Sequence, residues 1–188
     1  TTCNRHSGID LMRLQLDFEF EINDQPVAGE VIVGDLDSHK EALTDIVMEQ
    51  GRLLMQVDGQ GDSGDYEEPL VRLVGQWLRK VQWVISGDTE TIAFRNSETC
   101  FAFIPAGGGV EVSLFEGTEL EVEEYIIEPV TLRLETFVLS SIEMGDRMIK
   151  VIESVDPGLL ESDEDCKDLK NDLEESKKAW HDFEIHKR

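Results

Sequence analysis

"TCFAFIPAGGGVEVSLFEGTELEVEEYIIEPVTLRLETFV", residues 99–138, decides the fold. Runs that alternate or concentrate apolar residues, "TCFAFIP", "VEVSLF" and "LEVEEYII", are separated only by glycine-rich or polar breaks, and "VTLRLETFV" follows Pro129. Links this short join antiparallel neighbours, because a parallel crossover needs about a dozen residues or more. Gly107, Gly108 and Gly109 are expected to make one turn, and Gly117 with Thr118 the next. Pro129 lacks a backbone N–H and suits an edge or a bend between the last two strands.

Upstream, "RLQLDFEFEI" (13–22) sets Leu14, Leu16, Phe18, Phe20 and Ile22 against Gln15, Asp17, Glu19 and Glu21. This period-2 pattern marks a strand with one core face and one acidic face. The turn "NDQP" should lead to a second strand near "VAGEVIVG". Ser38 and Glu41 have capping-box spacing, which predicts a helix to about Gln50 with Ala42, Leu43, Ile46 and Val47 inward and Gly51 at its end. "LLMQV" reads as a short strand, and "TIAFRN" as another before the meander. Between them, Leu70, Leu73, Val74, Trp77, Leu78 and Val81 recur at helical spacing from Pro69 to Gly87. Ser140 and Glu143 predict a further helix to Val155 with Ile142, Ile149 and Ile152 on one side.

"DPG" at 156–158 breaks the chain, and the acidic segment beyond it should be helical, with Leu169, Leu173 and Trp180 either packed or loosely attached. The organisation expected is a lead at 1–11, an α+β core at 12–155 and an acidic helical segment at 156–188. The fold class expected is α+β: a mainly antiparallel twisted sheet of about six to eight strands with three or four helices packed on it, in one domain.

The 188 residues carry 17 Lys and Arg against 41 Asp and Glu, a formal charge of −24. Within 12–155 there are 29 acids and 10 bases, so the core alone holds −19. Such a field repels nucleic acid and anionic membranes and attracts cationic partners. Two territories contain acids and no Lys or Arg: residues 14–39, and the stretch between Arg95 and Arg133. Strand residues two apart share a face, so Glu119, Glu121 and Glu123, with Glu124 beside them, form one candidate partner-binding row, and Asp17, Glu19 and Glu21 a second. Leu120 and Val122 are expected to point inward.

No catalytic, cofactor or metal signature emerges. Forty-one acids nominate no glycosidase pair. "DGQGDSGDYEEP" departs from a calcium loop, with Ser63 at the glycine position and Pro69 at the twelfth. His181 and His186 do not share a helical face, Cys100 lies in an apolar strand, and "AGGGV" lacks the Lys of a phosphate loop. Cys3, Cys100 and Cys166 suggest neither a disulfide framework nor a zinc ribbon, which suits a reducing compartment. No apolar run approaches the roughly 20 residues of a membrane span, and no signal-peptide core is evident at the start, so the expectation is a cytoplasmic protein.

In size, charge and lack of catalytic residues the chain resembles, as a class and with no motif in common, the bacterial immunity proteins. That resemblance implies a stoichiometric, non-enzymatic inhibitor without cofactors, occluding the basic cleft of a toxin domain such as a nuclease. The alternatives are a nucleic-acid mimic that binds a DNA- or RNA-handling protein, and an enzyme of unidentified type.

Overall fold

The computed structural model describes residues 14–59, 68–95 and 97–186. The alternation in the first acidic stretch forms β1 (Leu14–Ile22), with Leu16, Phe18, Phe20 and Ile22 buried. Asn23 and Asp24 both adopt positive φ (53° and 58°), the left-handed pair that a tight hairpin turn requires, and return the chain as β2 (Gln25–Ala28). β3 (Gln50–Val57) pairs with the other edge of β1, and the two-residue β4 (Glu68–Pro69) completes an antiparallel sheet ordered β2-β1-β3-β4. The meander forms a second sheet, β5 (Glu90–Ala93), β6 (Thr99–Ala106), β7 (Gly109–Thr118) and β8 (Glu121–Arg133), in sequence order. Gly107 and Gly108, at φ 57° and 85°, make the β6–β7 turn as expected.

The strands therefore form two four-stranded sheets where the sequence suggests one. Alternation reveals which residues face a core, but not which strands share a ladder. The long helix α3 (Leu70–Ser86) separates β4 from β5 in the chain, and it packs against strands of both sheets. Helix α4 (Leu134–Val155) also touches both, at β1 and at β7 and β8. One continuous apolar cluster joins residues of the two sheets and the helices.

Six α-helices appear among the described residues, more than the three or four expected, and the surplus comes from helices of four to six residues. "GEVIVG" is not strand but α1 (Gly29–Gly34), which buries Ile32. Its Glu30 N–H donates to the Asp17 carboxylate at 2.9 Å, so a tertiary hydrogen bond replaces the ladder that local β propensity favours. The helix expected over 38–50 is instead α2 (Leu36–His39), a 3₁₀ turn at Lys40–Leu43 and irregular turns, with only Leu43 and Ile46 of the stripe buried. Ser38 donates to Asp35 at 2.7 Å and caps nothing. Gly51 lies within β3, where a Cβ would collide with the Glu19 carbonyl. "VTLRLETFV" divides at Arg133, opposite the first residue of β7, where partners for a longer strand end and α4 begins. Ser140 is consequently inside that helix.

Helix α3 matches its predicted span. Gly87 (φ 95°) ends it, with Gly87 N–H donating to Val84 O and Asp88 N–H to Trp83 O, each at 3.0 Å, the paired bonds of a Schellman cap. After α5 (Leu159–Ser162), Asp163 accepts the Cys166 N–H at 3.0 Å and starts α6 (Glu164–His186). Of the two fates open to the C-terminal segment, the packed one holds. Leu169, Leu173 and Trp180 are buried, Ser176 Oγ donates to Leu78 O at 2.8 Å, and the backbone of Leu169 runs over Gly75 of α3.

Trp77 sits where these layers meet. Its ring is edge-on to Phe101 and Phe103 of β6, with centroids at 5.1 and 4.7 Å, and tilted against Phe137 of α4 at 5.9 Å. Its Nε1–H donates to Ser141 Oγ at 2.9 Å, and Ser141 in turn donates to the Phe137 carbonyl at 2.7 Å. Ser141→Ala leaves the indole N–H buried without an acceptor and should lower unfolding free energy by about 1–3 kcal/mol. Trp77→Ala should cost about 3–5 kcal/mol. Urea denaturation checks both, and equal losses would contradict the central place given to the ring.

Candidate functional site

The two acidic rows meet different fates. In the first, Asp17 is only 3% exposed. Its carboxylate accepts Arg147 Nε–H at 3.1 Å as well as the Glu30 N–H, while Arg147 Nη2 donates to Leu16 O at 2.7 Å. The arginine thereby satisfies the part of the β1 edge that short β2 leaves uncovered. Glu19 is paired across the ladder with Arg52 at 2.6 Å. Asp17 and Glu19 are thus engaged inside the fold, and Glu21 alone of that row is exposed and free of a base among the described residues. Sequence spacing places them on one face but cannot reveal the cations waiting on β3 and α4.

The second row lies on the β7–β8 hairpin. Its end is the two-residue turn Glu119–Leu120, closed by the pair Thr118↔Glu121, and not the expected Gly117–Thr118. Gly117 instead sits in a strand irregularity at φ 137°, where a Cβ would collide with the Glu121 carbonyl. Three register shifts fall along β8, beside Glu128 and Pro129, at Ile126 and at Glu123. Each inserts an extra residue and turns the following side chains. Neither Leu120 nor Val122 points inward: Leu120 lies in the turn itself and is 97% exposed, and Val122, on a strand where simple alternation is lost, is 42% exposed. Every residue from Glu121 to Ile126 is exposed.

Pro129 does not separate two strands but lies inside the single edge strand β8. Its missing donor is harmless there, and together with bulges and charges it discourages another chain from adding to the sheet. That protective role accounts for part of the acid content. It does not account for the pairing of like charges. Glu116 and Glu124 are direct cross-strand partners. No ion pair links Glu116, Glu119, Glu121, Glu123, Glu124 or Glu128 to a base among the described residues.

The stem beneath this end is fixed. Phe115 packs edge-on against Tyr125 at 6.2 Å and forms a small cluster with Cys100 and Ala102 on the sheet face opposite the main core. Gly117 N–H donates to Glu98 O at 2.7 Å, and its carbonyl accepts a weak contact from Cys100 Sγ at 3.8 Å.

Other candidate chemistry is not brought together. Cys100 and Cys166 are buried free thiols. Burial first, then neighbouring carboxylates, pushes the Cys166 thiol up to about 12 and the Cys100 thiol in the same direction, opposite to the shift of a nucleophile. His186 Nδ1 lies 2.7 Å from Asp182 O, and no metal-holding group of His, Cys, Asp and Glu occurs among the described residues. The acidic loop considered for calcium lies largely at 60–67, outside the described residues, as do Cys3 and the lead at 1–11. Trp77 is core, while Trp83 is half-exposed in a shallow cleft of about 270 Å³ between α3 and α6, beside Glu175, Lys178 and Asp182. No helix is long and apolar enough to cross a membrane among the described residues.

No protein-family model matches the sequence, and no curated protein or solved structure shows significant similarity to it. Of the exposed apolar residues of the hairpin, Leu120 and Val122 were expected inward, and Tyr125 and Ile126 carried no expectation of exposure. Gly117 carried the available signal, since glycine within a strand often marks a bulge.

Three outcomes follow from this geometry. Glu124→Lys should stabilise the fold by about 0.2–1 kcal/mol by replacing a like-charge pair with an opposite one, readable as a higher denaturation midpoint that shrinks in added salt. Because the thiol of Cys166 is raised from 9.0 to about 12 in the folded chain, its contribution to stability is intact below pH 9 and is lost as pH rises from there toward 12. Peptide mapping after iodoacetamide at pH 8 should find Cys100 and Cys166 unmodified until denaturant is added.

Proposed function

We propose that this chain is a non-enzymatic acidic binding protein, acting as an immunity protein that neutralises a bacterial toxin by occluding its basic active cleft. The observation that carries the reading is the β7–β8 end: carboxylates exposed, unpaired among the described residues and in one case set directly against each other across the strands. Left alone, they hold an electrostatic penalty. A partner bringing Lys and Arg removes it, and the net charge of −24 speeds the encounter. Glu119, Glu121, Glu123 and Glu124 are the contact residues. Glu21 is the only member of the first row available to add to them, since Asp17 and Glu19 already serve the fold.

Occlusion asks no chemistry of the inhibitor. A rigid stem with a projecting charged end suffices, because affinity gained on docking is not spent on ordering the loop. Such a protein works in the compartment where the toxin is made, which on this reading is the cytoplasm.

Affinity capture from the native host, followed by measurement of association rates in rising salt, tests the proposal. The tightest partner should be basic, and association should slow steeply with salt. Glu119→Lys, Glu121→Lys, Glu123→Lys and Glu124→Lys combined should slow it by on the order of tenfold or more at low salt without loss of folding. An acidic partner, or unchanged affinity in the quadruple variant, would sink the reading. A captured DNA- or RNA-handling protein that duplex competes away would replace toxin neutralisation with nucleic-acid mimicry.

A further inference from the structure

We propose that the end of the β7–β8 hairpin is an apolar anchor: Leu120, backed by Val122, enters an apolar recess on a basic protein, while Glu119, Glu121, Glu123 and Glu124 meet the Lys and Arg side chains around that recess. The inference rests on the reading that this hairpin is the docking element, and it specifies what the partner must present.

A single exposed leucine carries no information, since much of any protein surface is apolar. Here the exposure is concentrated. Four of the ten exposed large apolar side chains among the described residues, Leu120, Val122, Tyr125 (39%) and Ile126 (37%), fall within seven consecutive positions. Glu121, Glu123 and Glu124 fall among the same positions, and Glu119 directly precedes them. Turn chemistry does not explain Leu120 either: tight hairpin turns favour Gly, Asn or Asp, the types found at Asn23–Asp24 and Gly107–Gly108 in this chain.

The shape supports insertion over lateral contact. Exposure of both faces from Glu121 to Ile126 lets a partner surround the end. The Phe115–Tyr125 contact and the Gly117–Glu98 hydrogen bond hold the stem in place. Bulges, Pro129 and edge carboxylates disfavour strand addition, so recognition runs through side chains rather than a shared ladder. An apolar centre within a polar rim is the usual anatomy of a protein interface, and an all-acidic rim fixes the sign of the other side. The same rim repels nucleic acid and anionic lipid.

The test uses the full chain, ¹⁵N-labelled, and two synthetic peptides of equal positive charge, one alternating Lys with Leu and one alternating Lys with Ser. The Lys–Leu peptide should bind about tenfold or more tighter, the gain from burying a leucine-sized surface, and should shift the amides of 119–122. Leu120→Ser, which lies in solvent and should leave the unfolding midpoint unchanged, should abolish that advantage while leaving Lys–Ser binding and its salt dependence intact. A Lys–Leu advantage that survives Leu120→Ser, or shifts centred on the Trp83 cleft, overturns the anchor and leaves the acidic reading standing. Equal binding of both peptides, with Leu120 inserting into phosphatidylcholine vesicles instead, overturns it too. If the quadruple Glu→Lys variant binds both peptides as well as the parent does, the underlying reading fails with it.

Discussion

Everything in this structure is hung from the burial of Trp77. One indole fills the space between the second sheet and two helices, touching Phe101 and Phe103 on one side and Phe137 on the other. Its single polar atom must find a partner in that apolar setting, and Ser141 of α4 supplies it. The bond fixes the axial position of α4 against α3 as well as their separation. Small residues allow the rest. Gly145 of α4 meets Leu78 and Leu173, and Gly75 of α3 meets the Leu169 backbone, so a third helix packs where larger side chains would hold it away.

With the helices placed, the sheets divide their labour. The first is locked to α4 through Arg147, which serves a β1 carbonyl and the Asp17 carboxylate together. Two of the three carboxylates in the first acidic row are spent inside the fold, Asp17 on Arg147, as a buried carboxylate requires, and Glu19 on Arg52. The second sheet buries the inward side chains of β6 and β7 against α3 and α4 and leaves residues 121–126 of β8 exposed. There the chain keeps its charges exposed, and the bulges that protect the sheet edge also turn apolar residues outward.

Where the sequence was legible, one local rule sufficed. The spacing of Leu70, Leu73, Val74, Trp77, Leu78 and Val81 specified α3, and Gly87 its end, because an amphipathic helix and a left-handed cap are written in consecutive residues. The same holds for β1, β6 and β7 and for the turn at Asn23–Asp24. It fails where a second contact, distant or local, competes with the rule. Val31, Ile32 and Val33 favour a strand, yet a hydrogen bond to Asp17 holds them in a helical turn. Ser38 and Glu41 have cap spacing, yet Ser38 is already bound to Asp35.

For the acidic rows the division is sharper. The sequence by itself determined that 14–39 and the stretch between Arg95 and Arg133 contain no Lys or Arg, and that a strand would set Glu119, Glu121 and Glu123 apart from their neighbours. Only the tertiary structure decided which carboxylates remain free. Charge and period are properties of the segment, whereas neutralisation depends on cations brought from far along the chain: Arg147 reaches Asp17 across 130 residues, and nothing comparable reaches the β8 end among the described residues. The exposure of Leu120 was beyond the sequence for the same reason, because the pairing of β7 with β8, closed at Thr118↔Glu121, decides which two residues form the turn.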